Sequence, residues 1–127
     1  MLIPPLVLFH LCVAILAIIT GAVVLSKPKG TAVHKLLGRC WVVLMTTTAI
    51  TSFWIQQNNE LSWIHILATL ILATTSCAFI AIRLKKVQWH QRLMKSAYGL
   101  SLLTGGLAAL LPGRFLNEAI LDWITRF

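Results

Sequence analysis

The chain has 127 residues, 58% of them hydrophobic and 11% charged, with mean hydropathy +0.86. A soluble domain of this size has too little interior to hide that much apolar surface. The net charge of +8 does not point to nucleic acid, because nine of the eleven Lys and Arg residues flank just two connections between apolar runs.

The opening "MLIPPLVLFH" has no basic n-region and no small-residue cleavage pattern, so the first apolar run reads as a retained span. Pro4 and Pro5 suit the first turn of a helix, where a missing N–H loses nothing. Four runs, 6–25, 32–54, 61–82 and 93–111, each approach the ~20 residues that cross a bilayer as a helix. Unpaired backbone is too costly in hydrocarbon, so these runs are expected to be helices. "SKPKGT" makes a short turn, with Thr31 placed to cap the second helix. In "QQNNELS", Asn58 or Asn59 is the expected cap of the third, with Glu60 favourable at its N-terminus. "RLKKVQWHQR" leads into the fourth run and reads as largely helical.

Such short turns make successive helices antiparallel neighbours. The expected fold is all-α integral membrane: one domain, 1–127, forming an antiparallel up-down four-helix transmembrane bundle. A short amphipathic interfacial helix follows at about 113–127, with Arg114, Glu118, Asp122 and Thr125 on one face. Leu116, Ile120, Trp123 and Phe127 form its other face.

Lys27, Lys29, Lys35 and Arg39 flank the first connection, and Arg83, Lys85, Lys86, Arg92 and Lys95 the third. The middle connection carries only Glu60. This is the positive-inside pattern, so the basic loops are expected in the cytoplasm and both termini outside, in a bacterial inner membrane. Trp54, Trp63 and Trp89 fall where interfacial anchors belong. Cys12, Cys40 and Cys77 form no CxxC motif and read as small buried apolar residues.

The histidines carry the candidate chemistry. His10, His34, His65 and His90 each lie near the start of a different span. Alternating helix direction then puts His10 and His65 at the outer level and His34 and His90 at the inner level. In an up-down bundle each pair is diagonal. Two imidazoles facing across a bundle axis suit axial ligation of one iron porphyrin. The levels would lie roughly 20–25 Å apart, at ~1.5 Å rise per residue. Small residues share the histidine faces and leave room: Ala14, Ala17 and Gly21 after His10; Gly38 after His34; Ala68 and Ser76, with Leu72, after His65; Ala97, Ser101 and Gly105 after His90. Lys35, Arg39, Arg92 and Lys95 are placed to meet haem propionates. Tyr98 and Trp41 are candidates for a haem or quinone edge, or for plain packing.

At "KGTAVHKLLGR", "WIHILATL" and "HQRLMKSAY" the chain resembles a family of predicted bacterial four-span membrane proteins without an assigned function. Lys29, Gly30, His34, Gly38 and Arg39 match the start of its second span, His65 its third, and His90, Met94 and Tyr98 its fourth. Leu93 and Ser96 stand where that pattern has Trp and Arg. The four-histidine layout is also similar to the cytochrome b561 type of dihaem membrane protein. That resemblance implies two b haems per chain, bound by His10 with His65 and by His34 with His90, and electron transfer across the membrane. It implies a membrane oxidoreductase exchanging electrons with a quinone or a redox protein, with lipid around it and a second copy available to complete the bundle. The alternatives are a haem-free scaffold or accessory subunit, and a small transporter or metal-handling protein.

Overall fold

The computed structural model describes residues 4–55, 60–111 and 115–127. Five helices follow in order: α1 (Pro5–Ser26), α2 (Ala32–Ser52), α3 (Trp63–Arg83), α4 (Val87–Leu110) and α5 (Phe115–Thr125). Among the described residues the backbone of α1 lies against α2 and α4, and that of α3 against α2 and α4, while α1 and α3 are diagonal, as are α2 and α4, whose Trp41 and Tyr98 side chains meet across the bundle. The first four helices therefore close a ring. Neighbours run antiparallel: His10, early in α1, bonds Thr51, late in α2, and His90, early in α4, bonds Ala78, late in α3.

Local chemistry sets the helix ends. Pro5 opens α1. Lys29 Nζ donates to the carbonyls of Leu25 at 2.7 Å and Val24 at 3.3 Å, a cation at a helix C-terminus. Gly30 takes φ +81° in the turn, and Thr31 then caps α2 by accepting the His34 N–H at 3.2 Å. The N-cap of α3 is Ser62; Asn58 and Asn59, the expected caps, lie outside the described residues. α3 ends with Lys85 in the left-handed region at φ 59°, and the Lys86 N–H reaches back to the Ala81 carbonyl at 2.9 Å. α4 starts at Val87, so the basic connection is helical from there on and His90 sits in its first turn. α5 is held to α4 by Asn117, whose Nδ2 donates to the Leu110 carbonyl at 3.1 Å. Arg114 lies outside the described residues.

The interior is made by small side chains. Half of the twelve buried apolar residues are alanines: Ala17, Ala49, Ala68, Ala78, Ala81 and Ala97. Small residues let helix backbones approach closely where lipid, as apolar as the core, gives no hydrophobic drive. Trp41, Met45 and Ile71 fill the space between them. The outside is as apolar as the inside, with Phe9, Leu16, Ile19, Val43, Ile66, Phe79 and Leu103 all exposed. Trp54, Trp63 and Trp89 are exposed too.

One expectation stands in a coarser form and two change. Among the described residues two helices, Pro5–Ser26 and Trp63–Arg83, are long and apolar enough to cross a membrane by length and composition. α2 carries Lys35 and Arg39, and α4 Arg92 and Lys95, within their N-terminal nine residues, which lowers their apolarity. Cys12, Cys40 and Cys77 are exposed free thiols on the helix exteriors rather than buried. On α3 the inward stripe runs His65, Ala68, Ile71, Thr75, Ala78, while Leu72 is half-buried and Ser76 exposed. Successive steps of four residues drift off a 3.6-residue face, whereas mixed steps of three and four stay on it.

Candidate functional site: two histidine levels

The ring brings each diagonal pair to one level. His10 of α1 and His65 of α3 line the same cavity, of about 200 Å³. At the other end His34, near the start of α2, and His90, near the start of α4, share the second level.

The hydrogen bonds distinguish the four imidazoles. Thr51 Oγ1 gives its single hydrogen to the carbonyls of Thr47 and Thr48, at 2.8 and 3.0 Å. At the 2.8 Å contact between His10 Nδ1 and Thr51 Oγ1 the imidazole is therefore the donor. That leaves His10 Nε2 with a free lone pair. His90 is arranged alike: Nδ1 donates to the Ala78 carbonyl at 2.9 Å, and Nε2 keeps its lone pair. A backbone acceptor on one nitrogen fixes the tautomer in which the other can ligate.

His65 differs. It is buried, and its Nδ1 accepts the Ser62 backbone N–H at 2.9 Å. Its Nε2 must then carry the proton, which it donates to the Ser52 carbonyl at 3.1 Å. Both nitrogens are thus engaged, one capping α3 and the other tying α3 to the end of α2. The Phe53 ring packs against it at 5.7 Å between centroids. The spacing Ser62-x-x-His65 imitates the capping box, with imidazole in place of Glu or Gln. That signal was present in the sequence and passed over. Thr51, the partner that orients His10, had no sequence signal.

His34 differs again: its ring lies in hydrogen-bonding reach of the Val24 carbonyl, while its Nδ1 is buried without a hydrogen-bond partner. Trp41 Nε1 and Thr75 Oγ1 share that condition near mid-bundle. Trp41 meets Tyr98 at 6.3 Å between centroids, and Tyr98 donates its hydroxyl to the Ile18 carbonyl at 3.0 Å. Lys35, Arg39, Arg92 and Lys95 are all exposed around the inner level. The ion pair seen among the described residues, Asp122 with Arg126 at 2.9 Å, lies far along the chain in α5. No group of three or more His, Cys, Asp or Glu side chains placed to hold a metal ion occurs among the described residues.

An all-helical chain with an exterior this apolar has the character of a helical membrane protein. Residues 7–123 match the DUF2306 family of predicted membrane proteins, of unknown function, and the chain belongs to that family. No curated protein and no solved structure matches it.

Proposed function

We propose that this is a four-span membrane protein of b-type cytochrome character, with one haem carried at the inner level by His34 and His90. The observation that supports this most is the contrast at that level. His90 is held by the Ala78 carbonyl in the tautomer that leaves Nε2 free, and across the bundle His34 keeps a buried nitrogen with no partner. Buried polar atoms are nearly always satisfied, so an orphan beside a pre-oriented imidazole fits a missing ligand. A bound haem would supply one-electron transfer. The chain's own residues would do the rest. The Ala78 carbonyl holds the His90 ring in place, Trp41 and Met94 keep water from the bundle interior, and Lys35, Arg39, Arg92 and Lys95 offer cations to the haem carboxylates.

The outer pair does not fit a second haem. His65 has no free nitrogen, since Nδ1 accepts from Ser62 and Nε2 donates to Ser52. Two haems per chain are therefore not proposed.

The topology belongs to the same reading. All four ring helices cross the bilayer, basic connections in the cytoplasm and termini outside. The charged N-terminal portions of α2 and α4 sit toward the headgroup level, to which Lys and Arg snorkel. A quinone or a redox protein is the electron partner such a protein needs.

The test is a dithionite-reduced minus oxidised spectrum of the detergent-purified chain, expressed with ample haem and quantified per chain. We expect low-spin b-type bands at one haem per chain, lost in His34→Ala and in His90→Ala and kept in His10→Ala. A colourless protein would overturn the reading and leave His34 and His90 without a haem to hold.

A further inference from the structure

The outer cavity has a chemical polarity of its own. Six polar residues reach its wall: His10, Thr48, Ser52, His65, Ser101 and Thr104. Every side-chain hydrogen among them is already engaged. Thr48 donates to the Leu44 carbonyl at 2.8 Å, Ser52 to Ala49 at 2.6 Å, Ser101 to Tyr98 at 2.7 Å and Thr104 to Leu100 at 2.7 Å. His65 Nε2 donates to the Ser52 carbonyl and His10 Nδ1 to the Thr51 hydroxyl. Only lone pairs remain to face the cavity, and His10 Nε2 is the most basic of them.

We infer that this cavity binds a neutral single-ring molecule through a hydroxyl group: a phenol, or the headgroup of a hydroquinone. A wall that only accepts selects a ligand that donates. The ligand is neutral because no carboxylate lines the cavity to balance a cation. One ring fits: an apolar cavity of about 150 Å³ holds benzene, and this one, open on one side, has about 200 Å³. Bulk water is a poor occupant, since each buried water needs two to four polar partners and most of this wall is alkyl. Leu116 of α5 forms part of the wall, so the C-terminal helix closes one side of the site. An oxidised quinone ring has only acceptors and is rejected, so the site distinguishes the reduced from the oxidised form. The inference stands whether or not the inner pair holds a haem.

The experiment follows the methionine methyl signals of the detergent-purified full chain, labelled with 13C-methyl methionine. Met45 lines the cavity and Met94 does not. Phenol is expected to shift the Met45 methyl saturably and leave Met94 in place. Anisole, which has the ring but no hydroxyl hydrogen, is expected to bind about tenfold more weakly, the worth of one hydrogen bond. Hydroquinone should outbind benzoquinone in the same sense. In His10→Leu the preference for phenol over anisole should vanish, and in His10→Gln, which restores an acceptor, it should partly return. Equal affinity for phenol and anisole on the unmodified chain overturns the inference without any variant. So does a Met45 signal that neither compound moves, or a preference that survives His10→Leu.

Discussion

Gly21 is where α1 admits the two central aromatics. A Cβ built there would lie 2.5 Å from Trp41 Nε1 and 2.6 Å from the Tyr98 ring. Both rings are held in the bundle, Trp41 by burial and Tyr98 by its bond to the Ile18 carbonyl, so neither can step aside cheaply. Gly21→Ala is expected to destabilise the fold by ~1–3 kcal/mol, the range for overpacking a filled core. Thermal unfolding in detergent would show this as a lowered midpoint, and an unchanged midpoint would mean that α1 and α2 lie further apart than described. The sequence placed Gly21 on the small stripe following His10. It did not say which large groups that stripe admits, because the answer lies on two other helices.

At the scale of the element, α3 depends on a histidine for its start. His65 accepts the Ser62 N–H and donates to the Ser52 carbonyl, so one ring caps α3 and fastens it to α2. His65→Ala loses both bonds and is expected to lower stability by ~1–3 kcal/mol. His65→Gln rebuilds the Ser-x-x-Gln capping box and should recover part of that loss. Unfolding midpoints of the two variants decide this; if Gln is no better than Ala, the cap is not what holds the residue. Helix existence was readable from the apolar runs, and four of the five starts fall close to where turn chemistry put them. Thr31 caps α2 as its position suggested. The fourth helix begins earlier than its apolar run, since Val87 to Arg92 is polar but still helical. Hydropathy marks where hydrocarbon begins, whereas backbone hydrogen bonding continues past it.

For the whole molecule, the decisive feature is an exterior built of the same residues as the interior. The three cysteines report on it directly. Cys12, Cys40 and Cys77 are exposed on the outer faces of α1, α2 and α3, within the apolar runs. If lipid covers those faces, a charged, membrane-impermeant maleimide should label none of them in intact membranes and all three after denaturation in SDS. Labelling in native membranes at the rate seen in SDS would mean that water, not lipid, bathes the helices. The same ring of helices separates the two histidine levels chemically. At one end the His90 ring is held by the Ala78 carbonyl and His34 Nδ1 lacks a partner, and at the other the His65 ring serves the fold through both nitrogens.

Apolar runs, turn residues and the asymmetry of Lys and Arg by themselves determined that the chain is helical, of membrane character, and carries one histidine near the start of each of four runs. These are local properties, set by the energy of backbone and side chains in water or hydrocarbon. Only the tertiary structure decided what each histidine does. A ring nitrogen is a ligand, a cap or a base according to which donor or acceptor lies within about 3 Å of it. Those partners, Thr51 for His10, Ser52 for His65 and Ala78 for His90, come from neighbouring helices at distances along the chain that no local pattern encodes.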